Sequence, residues 1–568
     1  MINGIYWEPR YPRILSKQDI RQLRGGNLVS IADISCDING SIELTSRATS
    51  IDEPFIQLGT EFPEIMAIDN LPAQFPRESS EHFASQLNSI IGSLAEGRDS
   101  NIIQRATIVE KGQLTQPYQG LCSVMTAAKT KQVLLLGSGF VAGPVVKYLS
   151  ECGHEVIIAS NSTSEASALA QKYKGSIAIS LDIAKDQDRL LKLCRNADIV
   201  VSLLPAAMHV PIAEVCLAAG RHLVTASYIS EGMAKLHDEA AEKGLLFLNE
   251  LGLDPGLDHL SAKQIIDRVH SAGEEIIGFE SWCGGLPAPE CADNPLGYKF
   301  SWSPRGVLLA ALNPAQFLEN GTKKTIDGSN LLNSVVSSPV QSRLALEGLY
   351  NRDSLKYIHA YGLDKRCLRT MTRGTLRYQG FAHILSSLAG LGYLSTEPLS
   401  PPLKAVTSWE GVFEKLKLDK NISLDRQVRS TMQWLGLNSV EEGFDGNSTS
   451  LLDAFCVLLQ KKLRYEPTER DMIFMQHKFT LRNPKSGQQR ILRSTLLEFG
   501  HEDGFSAMAR TVGYPVAVAT QLLLEGKIGL RGVLAPLDKC IYEPMLERLN
   551  AIAKISFKEQ EDCVNSEI

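Results

Sequence analysis

KQVLLLGSGFVAGPVVKYLSECG, residues 131–153, joins a strand-length apolar run to a helix-length one through Gly137-Ser138-Gly139-Phe140-Val141-Ala142. This is a GxGxxA turn between a strand and a helix. The first glycine makes the tight turn, and the second lets a pyrophosphate approach the backbone. The third small residue lets helix and strand pack closely. The helix start then offers free N–H groups and a partial positive charge to phosphates. Glycine turns alone are common, so the context decides. Further apolar runs of strand length follow at HEVIIAS (154–160), SIAIS (176–180), ADIVVSLLP (197–205), RHLVTAS (221–227) and GLLFLNELG (244–252), with helix-like stretches such as PIAEVCLAAG (211–220) between them. Alternation of this kind predicts a parallel, doubly wound sheet with helices on both faces, and a bound dinucleotide.

The cofactor's identity is read at the end of the second strand. An acid there usually binds the ribose of NAD, and an Arg usually holds the 2′-phosphate of NADP. Here the strand ends in Ser160-Asn161 with no Arg nearby. Asn161 reads either as a turn or helix cap or as an amide on the ribose, and the missing Arg favours NAD over NADP.

The chain has 568 residues, with 44% hydrophobic and 21% charged content, which suits three or four globular domains. The expected division is 1–124, then the dinucleotide domain at 130–255. An α+β substrate domain with a helical portion follows at 256–500. The last segment, 501–568, carries the strand-like pieces GVLAPL and AKISF and is expected to return to the first sheet. EEGFDGNSTS (441–450) is the most linker-like stretch. The net charge of −6, with no basic stripe, gives no reason to expect nucleic acid or an anionic membrane. No run reaches the length of a membrane helix. The eleven dispersed cysteines read as reduced thiols rather than a disulfide framework. No metal-ligand spacing, nucleophile elbow or P-loop is present, so no metal is expected. The start, MINGIYWEPRYPRI, carries neither a signal nor a transit pattern, and Tyr6 and Trp7 read as folded interior. The chain thus reads as beginning inside a domain, with cytoplasm as the default compartment.

Acids cluster after the last strand of the sheet, in LNELGLDPGLDHL (248–260). Asp254 stands at a carboxyl strand end, where open α/β sheets bind ligands, and Pro255-Gly256 turn the chain there. It reads as a cap or turn former, or as a carboxylate aimed into the crevice. Glu250 and Asp258 read as structural and His259 as a packing histidine. Ser227-Tyr228 end another strand at the same edge. Cys283, beside Gly284-Gly285, is a small buried hydrophobe or a neighbour of a ligand. Arg352, and Arg373 with Arg377, are either solvated or fork onto carboxylates of a poly-acid substrate.

At these residues the chain resembles the saccharopine dehydrogenases of the glutamate-forming type. The resemblance rests on LLLGSGFVAGPV, SLLP, LVTASY, ELGLDPGLDH, CGGLPAPE, NPLGYKFSWSP, NRDSLKY and RGTLRYQG, in family order from about residue 131. Residues 1–124, through ISCDINGSIE, TSIDEPF and IDNLPAQFPRESSEHF, resemble the distal end of lysine–ketoglutarate reductase. The two are fused in the bifunctional aminoadipic semialdehyde synthases of animals and plants, whose animal members are mitochondrial. Most of the reductase module lies outside the chain, so no reductase activity is expected. The resemblance implies NAD-dependent oxidation of saccharopine to glutamate and aminoadipate semialdehyde, in lysine degradation. It places Ser138, Asn161, Leu204, Ala226 and Leu253 at the cofactor, beside the turn residues Gly137, Gly139, Phe140 and Val141. Ser227, Tyr228, Asp254, Arg352, Arg373, Gly374 and Thr375 fall where the family holds its substrate. Asp254, Cys283 and Tyr228 fall near the reacting centre, with Asp254 also beside the cofactor. The rival readings are a non-catalytic NAD-binding fragment and a related oxidoreductase acting on another multi-carboxylate amino acid. Self-association into a homo-oligomer is a further expectation.

Overall fold

The computed structural model describes the chain except residues 6, 8–11, 23–27, 39, 58, 60, 61, 96–100, 111, 112, 116, 117, 119–129, 419–423, 503 and 564–568. The chain divides into two units, Met1–Ala128 and Lys129–Ile568. Tyr6 and the expected boundary near residues 124–130 fall largely outside the described residues.

The first unit holds a small sheet in the order Ile2–Asn3, Ser30–Asp33, Glu64–Met66, Phe55–Ile56, parallel except for its last pair. Trp7 is half-buried, its indole donating to the Pro12 carbonyl at 3.1 Å. The buried Asp33 carboxylate is satisfied by hydrogen bonds from Asn3, Ser35 and Thr45 at 2.6–2.8 Å. A long helix, Pro76–Ala95, follows.

In the second unit the apolar runs pair as a fully parallel sheet. Its order is Gly532–Leu534, Leu246–Leu248, His222–Thr225, Ile199–Ser202, Gln132–Leu136, Glu155–Ser160, Ser176–Ser180. Val133, Leu134, Leu135 and Leu136 are all fully buried, because helices cover both faces of a parallel sheet. The first strand lies between the second and fourth, so the order reverses beside the glycine turn. That reversal is where doubly wound sheets bind ligands.

A second, mixed sheet is built around Glu275–Pro287, which runs parallel to Thr370–Tyr378 and antiparallel to Asp471–Arg482. An apolar helical cluster, including Phe381, Trp409, Leu435 and Phe455, packs as a separate core. The segment 441–450 lies within that cluster rather than between domains. Phe444 is buried, its amide bonds the Thr407 carbonyl, and the Glu442 carbonyl accepts from the Trp409 amide.

The C-terminal segment serves both sheets. Gly532–Leu534 extends the parallel sheet, as GVLAPL suggests. AKISF forms no strand: the helix Lys539–Ala553 ends in it, and the strand Lys558–Cys563 after it joins Gln489–Phe499 of the second sheet. The acids of KEQEDC find Arg490 and Arg493 across that pair, and this complementarity draws it to the second sheet. Among the described residues no helix is long and apolar enough to cross a membrane, and no group of His, Cys, Asp and Glu forms a metal site.

Candidate active site

The crevice is walled by two sets of residues. The loops after the parallel strands bring Gly137–Val141, Leu203–Leu204, Ala226–Tyr228 and Leu251–Gly256. The second sheet brings Cys283, Arg373 and the loop around Arg352.

In the glycine turn, Gly137 has φ 105° and sits against Leu204, while a Cβ built on Gly139 would meet no atom within 4 Å. Ala142 is buried at the start of the helix Ala142–Glu151. The open space before Gly139, the small residue and the helix start suit a dinucleotide's phosphates. Ser138 Oγ donates to Ser160 Oγ at 2.9 Å and lies 3.5 Å from Glu165 Oε2. Phe140 is 60% exposed, Val141 half-buried, and Asn161 exposed at the strand end. Glu165, in the first turn of the helix Thr163–Ala170, was missed because it lies beyond the strand end where such acids are sought.

The acidic turn is different in kind. Gly256 has φ 149°, and a Cβ there would lie 2.0 Å from the Gly252 carbonyl oxygen, so only glycine closes this loop. Closure places Asp254 and Asp258 on either side of Arg373. Arg373 Nη2 donates to Asp254 Oδ1 at 2.5 Å and to Asp258 Oδ2 at 2.6 Å. Tyr228 OH donates to the same Asp254 oxygen at 2.9 Å. Asp254 Oδ2 is left without a hydrogen bond among the described residues. The side chain of Asp254 is 11% exposed, against 3% for Arg373 and 1% for Asp258, so Asp254 is the member of the triad nearest solvent.

The two aspartates are pushed apart. Burial raises the Asp254 carboxyl above the ordinary aspartate value; Arg373 pulls against this, and charged Asp258 adds to it. Burial works against Asp258 as well, but His259, Arg373 and the Gly256 amide outweigh it and hold Asp258 low. Asp258 is therefore the fixed anion and Asp254 the group poised to take a proton, a separation by environment typical of acid/base pairs.

Behind Asp258 lies a layer that the sequence reading took as structural. His259 is fully buried, with Nε2 2.8 Å from Glu250 Oε2 and Nδ1 2.7 Å from Tyr361 OH. Glu250, at φ 58°, also accepts from the Ile229 amide at 2.9 Å. Spacing alone does not reveal this layer, because Tyr361 lies about a hundred residues away in the chain.

Cys283 pairs with Thr375 in the register Ser281↔Arg373, Trp282↔Gly374, Cys283↔Thr375. Alternation therefore puts Ser281, Cys283, Arg373 and Thr375 on one face. Burial pushes the Cys283 thiol well up, and Asp254 and Asp258 reinforce it, so the thiol stays protonated at neutral pH. Gly374 belongs to the other face. A Cβ there would meet the Trp282 indole at 2.0 Å, so this glycine makes room for a tryptophan rather than for a ligand's side groups. Ser227 Oγ is 2.8 Å from Nε2 of His209, whose imidazole burial lowers to about 4. Ala226 is half-buried and Leu253 buried, below the turn.

The arginines divide. Arg373 uses Nη2 alone to bridge two of the protein's own carboxylates, whose burial demands a cation, while its buried Nε has no hydrogen-bond partner among the described residues. Arg352 is exposed, with its guanidinium 5.5 Å from the Tyr228 ring centroid.

Comparison with known proteins bears on this geometry. Residues 133–248 match the saccharopine dehydrogenase NADP binding domain, and residues 252–555 match the saccharopine dehydrogenase C-terminal domain. The chain belongs to the saccharopine dehydrogenase family. Residues 8–122 match the alanine dehydrogenase/PNT C-terminal domain. The alpha-aminoadipic semialdehyde synthase of Rattus norvegicus, named mitochondrial, is 36% identical over 97% of this chain and 66% of its own length. The chain thus spans about two thirds of the mammalian relatives it matches. The saccharopine dehydrogenase of Saccharomyces cerevisiae, named NADP-dependent and L-glutamate-forming, is 39% identical over 76% of this chain and 99% of its own. The solved apo structure of the yeast enzyme superposes with a TM-score of 0.68, covering 76% of this chain and all of that one at 37% identity.

Proposed function

We propose that this chain oxidises saccharopine to glutamate and aminoadipate semialdehyde, with NAD as the preferred cofactor. The observation that carries the reading is Asp254. Its Oδ1 is engaged by Tyr228 and Arg373, its Oδ2 is free of hydrogen bonds, and its carboxyl is raised towards protonation.

A nicotinamide dinucleotide, when bound, supplies the hydride acceptor. The amides of the 138–141 turn and the helix start after it would hold its phosphates, with Asn161 near the ribose. Glu165, beside Ser138, would disfavour a 2′-phosphate, and this supports NAD. The NADP in the yeast relative's name is the opposing indication.

Saccharopine is a secondary amine with three carboxylates, and its nitrogen must lose a proton before the neighbouring C–H bond breaks. Asp254 Oδ2 is the base for that proton, and Tyr228 and Arg373 fix the carboxylate's orientation through the other oxygen. Loss of hydride leaves an imine. Water adds to its carbon, a proton returns to nitrogen, and the C–N bond breaks to release glutamate and the aldehyde. Once it has released the amine's proton to solvent, the Asp254 carboxylate would take the water's protons and pass them to the nitrogen. Asp258 remains charged throughout as Arg373's partner. Cys283, as a neutral thiol, packs against this site rather than moving protons. Ser227 and Thr375 would contribute neutral hydrogen bonds to the substrate.

The test is the growth of reduced-nicotinamide absorbance with saccharopine, run separately with NAD and NADP. Activity with NAD supports the whole reading. Activity confined to NADP keeps the reaction and overturns the cofactor preference. No turnover with either, from folded protein, overturns the reaction.

A further inference from the structure

Arg373 engages Asp254 and Asp258 through its Nη2, so a substrate bearing three carboxylates calls for further cations. Two remain at the crevice without an ion pair or hydrogen bond of the side chain among the described residues: Arg352 and Lys356. Lys356 opens the short helix Lys356–Ala360. Its Nζ lies 5.2 Å from the Tyr228 ring centroid and 4.8 Å from that of Tyr357. Arg352 reaches the same Tyr228 ring from a backbone at φ 53°, a left-handed conformation that costs a residue with a side chain and persists where the surroundings hold it. Tyr228 in turn donates to Asp254. Both cations therefore lie within about 6 Å of the ring centroid of the tyrosine that donates to the proposed base.

Lys356 is exposed, and two half-buried lysines of this unit differ from it. Lys263 bonds Asp267 at 2.8 Å, and Lys478 bonds Glu280 at 2.8 Å. Lys356 is held by aromatic faces instead, which fix an ammonium without neutralising it. Glu250, the nearest buried acid, is already engaged by His259 and the Ile229 amide. Partial desolvation by the packed rings lowers the Lys356 amine; Glu250 opposes this, Arg373 adds to it, and the smaller effects of Asp353 and Arg352 follow the same signs as their charges. A bound anion relieves that repulsion.

We propose that Lys356 is a substrate-binding residue that holds a carboxylate of the amino-acid substrate together with Arg352, both lying against the Tyr228 ring. Arg352 offers a planar fork and Lys356 a point charge, so the pair can take two carboxylates or grip one from two directions. This inference rests on the proposed reaction only for the identity of the substrate.

Calorimetric titration of saccharopine into the full chain, as wild type, Lys356→Met and Lys356→Arg, tests it, with Lys323→Met on an exposed strand as the control. Loss of a charged hydrogen bond predicts binding weaker by roughly 10- to 100-fold in Lys356→Met. Substantial recovery is expected in Lys356→Arg, with no change in the control. In turnover assays the Lys356→Met loss should appear in KM with kcat within about twofold, because the contact is made equally before and during reaction. Unchanged binding by Lys356→Met in protein that does turn over saccharopine overturns the inference and leaves the reaction standing. Weakened binding in a protein that binds saccharopine without oxidising it supports Lys356 and overturns the reaction. Absence of binding by the wild type overturns both.

Discussion

Two loops leave the carboxyl edge of the same parallel sheet and are built on opposite plans. The turn 137–142 works through its backbone: glycines, a small alanine and a helix start, with open space before Gly139. The turn 250–259 works through side chains, with two acids on one arginine and a third on a buried histidine. The first binds by exposing N–H groups and tolerates variety in its side chains. The second carries charge into a buried place and tolerates almost none. Substitutions should therefore hurt in the second loop and not in the first.

The sharpest contrast is expected at Asp254. Asp254→Asn keeps the shape and removes the base, and should lower kcat by roughly 10²–10⁴. The pH profile gives an independent check. Burial raises the Asp254 carboxyl, so the protonated form persists above the ordinary aspartate range, and kcat/KM should fall on the acid side through that raised value. The limb should vanish in the variant; a limb that stays put assigns it to another group. The sign for stability is opposite to that of an ordinary salt-bridged acid. Because folding favours the protonated form, Asp254 contributes stability at acid pH that is lost as pH rises through its raised value. Next comes Arg373→Met, which strands two buried carboxylates. A loss of about 3–5 kcal/mol is expected, read by chemical denaturation, as for other buried pairs deprived of one partner. A loss below about 1 kcal/mol would mean that the aspartates are solvated, and the contrast between the loops would fail.

How much of this was legible beforehand follows the same division. The glycine turn, the parallel sheet and the strand GVLAPL are local patterns, so Gly137, Gly139 and Ala142 announce their roles within one short stretch. Asp254 was legible as an acid at a strand end, though not that Tyr228 and Arg373 share its Oδ1. Asp258, Glu250 and His259 were read as structural because their significance depends on partners such as Arg373 and Tyr361, which reach them from other elements. Arg373 was legible as a carboxylate binder, though not that its Nη2 would serve two of the protein's own aspartates. The stretch 441–450 read as a linker because its composition is polar, while the buried Phe444 and the Glu442 carbonyl's bond to Trp409 anchor it into the helical core.

Gly374 extends the contrast to the second sheet at smaller cost. Gly374→Ala drives a methyl group into the Trp282 indole, and should destabilise by roughly 1–3 kcal/mol through overpacking. Its effect on substrate KM should be slight if the glycine serves packing, and large if it faces the ligand.

The smallest effect should come from the glycine turn itself. Ser138→Ala removes a hydroxyl that donates to Ser160 and lies near Glu165, while leaving every backbone N–H of the turn in place. A single neutral hydrogen bond is worth about 0.5–1.5 kcal/mol, so KM for the cofactor should rise by less than roughly tenfold with kcat unchanged. If the variant instead loses activity on the scale of Asp254→Asn, the turn is not a backbone device. Ser138 would then be acting through its side chain, and the proximity of Glu165 to it would be the next distance to alter.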